Sequence, residues 1–494
     1  MNADPARIPV IVGVGQVNDR PVAEREGMDS IDLMVTAARA ADEDAGGRFI
    51  AMCDWLACVP QISFRALNPE TLLPKALGIS PHIDHVEIPS GDTPIRHLNE
   101  AANLIARREA RICLIAGGEA VRTSSRRNQT SGPGGGTFQA ARTASEIRRR
   151  YGLIHPVDIY PLYENATRAA WDQTLAEGQA ETGLIWSLMS KVAAESEGAW
   201  ITSAKTPAEI VEPSVENRLI AFPYNKLMVA NSSVNQGAAF IVCSLATARA
   251  QGVPDDRLVY VWAGASAHES EEPLERVAWN RAPDGMRVAL ERVLQVNGIN
   301  AGDLSYVELY SCFPCVPKMS RRVLGWPAEK PATVHGGLTF GGGPIGNYMS
   351  HAVVAMVQAL RREGRTGLLF GNGGHCTHNH AIVISRAPPS EELLGKDYHY
   401  QAEADAARGA LPSIGDDYEG LVTVETYTVS YDRSGNPSYG VVISLAPDGT
   451  RVVAKVDPED VATIAFLTDG SVEPVASPGV TKKEGDTLHW RPAP

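Results

Sequence analysis

The sequence predicts a duplicated α/β protein: two βαβαβαββ-type halves, stacked as α-β-α-β-α layers, followed by a small all-β barrel. Three observations carry this. A block Arg107-Arg108-Glu109-Ala110-Arg111, an apolar run 112–116 and Gly117-Gly118 return as Arg361-Arg362-Glu363-Gly364-Arg365, 366–370 and Gly371-Asn372, an offset of 254 (363 − 109). Ala57-Cys58-Val59-Pro60 faces Ser311-Cys312-Phe313-Pro314 at the same 254 (312 − 58), and the apolar start 10–14 matches 260–264 at 250. Matches in one order at one spacing point to an internal repeat. The third observation is a change of pattern after Pro388-Pro389, where alternating strands replace the strand–helix rhythm.

Each half then reads alike. A first strand leads to an amphipathic helix, with Ile31, Leu33, Met34, Ala37 and Ala38 in one half and Met286, Val288, Leu290, Val293 and Leu294 in the other. Their three- and four-residue steps fit one helical face. A short strand and a Gly/Pro-rich turn precede a long helix, 95–108 or 351–362. The runs 112–116 and 367–370 are continuously apolar, as strands covered on both faces require. Strand–helix alternation implies mostly parallel sheets. Residues 1–121 and 219–255 form the first half, and 256–387 the second.

Between the halves lies an insertion, 122–218, whose start includes the flexible Ser131-Gly132-Pro133-Gly134-Gly135-Gly136. From Arg122 to Arg150 it carries seven Arg and one Glu, a net of +6. One reading is a solvated helix face; the other is an anion site, since guanidinium forks fit phosphate oxygens. A linker, 388–419, leads to a β domain, 420–494, of the OB-like barrel type. Strands are expected at 421–431, 439–446 and 450–456, with 461–467 and 488–490 as further ones. Asp432-Arg433-Ser434-Gly435-Asn436-Pro437 and Pro447-Asp448-Gly449 are hairpin signals. Tyr427, Tyr431, Tyr439 and Trp490 are either packing residues or a base-stacking platform.

Composition narrows the class. Among 494 residues, 45 Lys and Arg against 58 Asp and Glu give a formal charge of −13, which argues against general nucleic-acid binding. From Gln401 to Pro494 there are 15 acidic and 7 basic residues, so −8 of that charge sits in the last fifth. Apolar content of 44% excludes disorder. Seven sparse cysteines read as reduced thiols. No apolar run approaches the ~20 residues of a membrane span. The polar start 1–7 lacks a signal-peptide layout, so the expected location is cytoplasmic.

Several blocks together resemble the thiolase superfamily over residues 8–387. Ser233-Val234-Asn235-Gln236-Gly237-Ala238-Ala239 resembles the Asn-Asp-Gly-Ala-Ala block. Glu308-Leu309-Tyr310-Ser311-Cys312-Phe313 resembles the His-Asp-Cys-Phe block of sterol-carrier-type thiolases. The segment from Gly336-Gly337 through Gly343-Pro344-Ile345-Gly346 resembles the Gly-His-Pro loop. With the added β domain, the chain is similar to thiolase-like proteins of type 1, in the acetyl-CoA acetyltransferase family. The resemblance implies CoA or an acyl-CoA as ligand, with no other cofactor and no metal. It brings in Arg126, Arg127, Ser232, Asn235, Gly343, Gly371, Asn372 and His375 as binding residues.

The departures are in the catalytic positions. A thiolase nucleophile is a cysteine at the start of the first long helix, where the helix terminus favours thiolate. Gly91 or Asp92 stands there, Gly343 stands for the family histidine, and Gly371 or Asn372 for the late cysteine. Ordinary thiolase turnover is therefore expected to be absent. Cys312 matches a family acid/base cysteine, with Tyr310 as helper, and suits an acyl-CoA aldolase or retro-aldolase; its other reading is a small buried hydrophobe. A non-enzymatic acyl-CoA scaffold is the further alternative. Monomer or homodimer is expected, without nucleic-acid or membrane partners. Cys312-Phe313-Pro314-Cys315 and His375-Cys376-Thr377-His378-Asn379-His380 lack the paired spacing of a zinc site.

Overall fold

The computed structural model describes residues 3–23, 26–84, 86, 88–127 and 144–493. One nine-stranded sheet runs, in spatial order, His82–Asp84, Trp55–Cys58, Ile112–Ala120, Asn235–Ser244, Pro9–Asn18, Val259–His268, His378–Ser385, Thr366–Gly373, Tyr306–Leu309. The order is nearly palindromic. Pro9–Asn18 answers Val259–His268, and Ile112–Ala120 answers Thr366–Gly373, which is the repeat seen in sequence. The halves join edge to edge only at Val10↔Tyr260 and Ile11↔Val259. Parallel pairs lie outside and antiparallel pairs at the centre, so the sheet is mixed.

Two long helices, Thr93–Arg107 and Tyr348–Arg362, pack against strands of both halves and against each other. The first buries Ile95, Leu98, Ala101, Ala102 and Ile105, a helical-period stripe. Pro94 suits its first turn, and Arg108, at φ 63°, ends it. The second buries Tyr348 and Met349 with most of its remaining surface. This middle helical layer brings both helix N-termini together: a Cβ on Gly346 would lie 2.9 Å from Pro89 Cβ.

The C-terminal strands Gly420–Tyr431, Pro437–Leu445, Arg451–Val456, Pro478–Glu484 and Thr487–Pro492 close a five-stranded barrel in the order 1-2-3-5-4-1. The expected strand at 461–467 is instead the helix Val461–Thr468, capped by the Asp460 carboxylate accepting from the Thr463 N–H. An eight-residue apolar run carries no period that separates strand from helix. Tyr427 and Trp490 are buried, and the Tyr439 hydroxyl donates to Asp158 at 2.6 Å, so these rings serve packing and not an exposed platform. Arg451, also buried, forms a two-pronged pair with Glu425 and donates to the Leu274 and Arg276 carbonyls. Asn165 donates to the Tyr427 carbonyl at 3.0 Å and Thr426 to that of Leu162 at 2.6 Å. The barrel is thus docked on the inserted helix Pro156–Ala170. The linker carries a helix, Gln401–Arg408, whose Ala404 packs with Ala267 and Val288. Among the described residues no helix is long and apolar enough to cross a membrane.

Candidate functional site

Four segments meet where the two central helices begin. They are the 89–92 loop, Tyr310 after its strand, the glycine loop 342–346, and Gly371–Asn372–Gly373 at a strand end. Gly91 is the tightest point: a Cβ there would overlap the Asn372 carbonyl oxygen and the Tyr310 hydroxyl. A Cβ on Gly371 would lie 2.9 Å from Asp92 Cα, and one on Gly373 3.0 Å from Asp92 Oδ1. Glycines at these crossings let the backbones close on one another. Asp92 is buried at the helix N-cap position but makes no capping bond; its carboxylate instead accepts from the Ser90 hydroxyl.

The Tyr310 hydroxyl is buried and burial, with the nearby Cys312 and Asp92, keeps it protonated well above the usual phenol range. Cys312 is buried too, and its thiol is pushed up to about 12 by desolvation, against the pull of the Tyr160 hydroxyl. Tyr160 stacks on Phe313 at 4.4 Å and donates to the Gly374 carbonyl at 3.1 Å. Asn372 spends its amide on Asn379, at 2.8 Å. Gly343 donates its N–H to the Asn231 carbonyl at 2.8 Å. His375 reaches this cluster, its ring 6.4 Å from Tyr160, and burial with the charges of Arg148 and Arg276 holds it down to about 3.

The other expected binding residues lie elsewhere in the fold. Asn235 bridges Thr123 and Asp19, accepting from the Thr123 N–H at 3.1 Å. Ser232 is exposed. Arg126 and Arg127 are exposed at the end of the helix Val121–Arg126, where Arg127 donates to the Gly27 carbonyl at 2.7 Å. Part of the arginine-rich run, 128–143, lies outside the described residues. Of the rest, Arg148 is buried, donating to the Leu153 carbonyl at 2.9 Å and pairing with Glu272 at 3.9 Å. Arg150 pairs with Asp416 and Glu146. Arg149 donates to the Ala144 carbonyl, so this part of the run is engaged by the protein's own groups. All seven cysteines are free and buried. Among the described residues no group of three or more His, Cys, Asp or Glu is placed to hold a metal ion.

His378 and His380 follow the glycine-rich 371–374 segment in sequence, but the partner that completes a histidine cluster at the rim, His268, was not legible. His268 and His378 are register partners on neighbouring antiparallel strands, with rings 4.9 Å apart and edge-on. His378 Nε2 lies 3.2 Å from the exposed Glu271 carboxylate. A Cβ on Gly374 would lie 3.4 Å from the His378 ring, so that ring lies next to the residue that follows the one crossed by Asp92. Burial and the neighbouring His378 lower the pKa of His268. Burial also pulls on His378, but the Glu271 hydrogen bond and the Asp92 charge leave it raised. Behind them His380 bonds Asn99 at 3.0 Å and is held down to about 3 by burial. No spacing rule links residues 110 positions apart (378 − 268).

A second polar cluster is sealed beneath the glycine loop. Glu308 accepts from the Tyr348 hydroxyl at 2.8 Å, the Thr333 hydroxyl at 2.8 Å and the Val334 N–H at 2.9 Å. Burial pushes its carboxyl up to about 7. His335 and His351 stack at 5.4 Å beside Tyr348.

Comparison with known proteins fits this architecture. The profile of the thiolase-like protein type 1 additional C-terminal domain matches residues 403–483. A search of curated protein sequences gave no match. Among solved structures, a monomeric SCP2-thiolase-like protein type 1 from Mycobacterium smegmatis is similar over 100% of both chains, at 30% identity and a TM-score of 0.82. The Ltp2-ChsH2(DUF35) aldolase shares the fold over 77% of this chain and 98% of its own, at 17% identity and 0.59. Human mitochondrial 3-ketoacyl-CoA thiolase in complex with CoA does so over 78% and 99%, at 14% identity and 0.56. Full-length similarity to the first of these, together with the matched C-terminal domain, shows that the chain belongs to the SCP2-thiolase-like protein type 1 family.

Proposed function

We propose that this protein binds CoA or an acyl-CoA between the 89–92 loop and the 342–346 and 371–373 glycines, and that it does not form a thiolase acyl-enzyme. The observation that carries the second part is the filled space at Gly91. The start of the Thr93–Arg107 helix is where a thiolate would be favoured, yet the Tyr310 hydroxyl and the Asn372 carbonyl occupy the volume of any side chain there. Cys312 and Tyr310 enter as protonated donors, which suits holding a thioester carbonyl better than attacking one. The CoA ligand draws support from the fold neighbour solved with CoA. Arg126, Arg127 and Ser232, all exposed, are the proposed contacts for the nucleotide and pantetheine parts. With a monomeric relative and a three-residue edge strand, His82–Asp84, the working form is a cytoplasmic monomer.

Calorimetry with CoA and acetyl-CoA, and assays with acetoacetyl-CoA plus CoA, test this. Binding that weakens with salt and on Arg126→Ala or Arg127→Ala, without acetyl-CoA formation, is expected. Thiolytic turnover would overturn the reading. Aldehyde release from 3-hydroxyacyl-CoAs, abolished in Cys312→Ala, would replace it with the aldolase.

A further inference from the structure

We propose that His268 and His378, with Glu271 behind His378, form a proton-transfer pair acting on Cα of a bound CoA thioester. The proposal rests on the CoA-thioester reading above and assigns a chemistry to that site. Four features support it. The two imidazoles meet edge-on, with ring centroids 4.9 Å apart. The charge of Asp92, at the N-terminus of the central helix, acts on both of them. Glu271 is 77% exposed and 3.2 Å from Nε2 of the half-buried His378, which links the pair to bulk water. The environments separate the two rings, lowering one pKa and raising the other, the arrangement that distinguishes a base from an acid.

The step needs no cofactor. The neutral His268 imidazole takes a proton from Cα. The C–H electron pair moves into the Cα–carbonyl bond, and the carbonyl π pair moves onto oxygen. The resulting enolate is held by the protonated donors of the site. Return of a proton to Cα from the His378 side restores the thioester. In water the net result is invisible; in deuterium oxide it is exchange of the α-hydrogen, because the ring protons equilibrate with solvent through Glu271. Cys312 is unsuited to this task, since burial keeps its thiol protonated.

The test is proton NMR of acetyl-CoA and 3-hydroxybutyryl-CoA in deuterium oxide with the full-length protein, alongside calorimetry of the same esters. Enzyme-dependent loss of the α-proton signal is expected, reduced about 100-fold or more in His268→Gln. Glu271→Gln, on the surface and harmless to folding, is expected to slow exchange while leaving ester affinity unchanged. Esters that bind but never exchange overturn the proton-transfer pair alone, as does exchange that survives His268→Gln and His378→Gln. Esters that do not bind overturn the CoA reading and this inference together.

Discussion

Two pairs of neighbouring histidines, one stacked and one edge-on, sit within this fold, and they live in opposite states. His335 and His351 are fully buried beside Tyr348; desolvation holds His335 down to about 4 and His351 well below its ordinary value. Gln16 bonds His351 Nδ1 at 2.9 Å, but no carboxylate acts on either ring. His268 and His378 have similar ring spacing at the rim, and there Glu271 and Asp92 add negative charge. Burial alone removes a histidine's charge; burial beside carboxylates, with a path to water, tunes it. The first pair builds a core and the second is equipped for proton transfer. The same contrast separates the sealed interior beneath the glycine loop from the rim of the site, and it can be attacked from either side.

The sealed side offers the largest effects. Lys318 and Glu164 form a buried ion pair at 2.5 Å, completed by the Tyr224 hydroxyl at 2.9 Å and the Gly178 carbonyl at 2.9 Å. Lys318→Met leaves Glu164 uncompensated and is expected to cost about 3–5 kcal/mol in urea unfolding. A loss under about 1 kcal/mol would mean that water reaches this interior.

Next is Gly91→Cys, which places a nucleophile at the family position. It is expected to lower stability by about 1–3 kcal/mol through overpacking against Tyr310 and Asn372, and to yield no thiolysis of acetoacetyl-CoA. Adding Tyr310→Ala opens part of that space and is expected to return some of the lost thermal stability. If the single variant folds as well as wild type and turns over, the site is not filled as described.

These contacts show why the site was only half legible. The repeated Arg-Arg-Glu blocks, the apolar runs and the glycines expose the duplication, since they follow local period and offset. The hairpin turns likewise expose the barrel. Gly91 was identifiable as the wrong residue for a nucleophile, but its partner Tyr310 lies 219 positions away (310 − 91). His268 meets His378 only because the sheet pairs their strands. The arginine run reads in sequence as net charge alone, whereas Asp416 and Glu272, the partners of Arg150 and Arg148, arrive from distant segments. Composition records charge; only the fold records what neutralises it.

A pH experiment probes the sealed side more gently. The Glu308 carboxyl, raised to about 7 by burial, stays protonated in the native state while the unfolded chain releases its proton near the ordinary carboxyl value of 4.5. Between those values the native state binds more protons, so this group's stabilisation is present below about 4.5 and is lost as pH rises through 7. Its share is at most about 3 kcal/mol. Glu119, also raised to about 7 by burial, acts in the same direction. His335 and His351 act oppositely: their contribution is lost as pH falls below 6.5 towards 4. Glu308→Gln is therefore expected to melt closer to wild type at pH 5.5 than at pH 8, gaining relative to it as pH rises. An unchanged difference would show that Glu308 is ionised throughout.

The smallest effect is at the rim, where the contrast is sharpest. Glu271→Gln removes the hydrogen-bonded charge from His378, so the His378 pKa is expected to fall below its wild-type value, read from the ring C–H shifts by NMR. Wild-type His378 is raised, so its stabilisation is full below the unfolded pKa of 6.5 and disappears as pH climbs through the native value. The exposed position of Glu271 limits the stability change to about 1 kcal/mol or less. His335 titration should not move at all. If His378 keeps its pKa in Glu271→Gln, then Asp92 alone sets its charge. The corresponding change is Asp92→Asn, which should then lower His378 where Glu271→Gln did not. That outcome would put the tuning carboxylate at the buried helix start and not at the rim, leaving the two histidine pairs different in degree only.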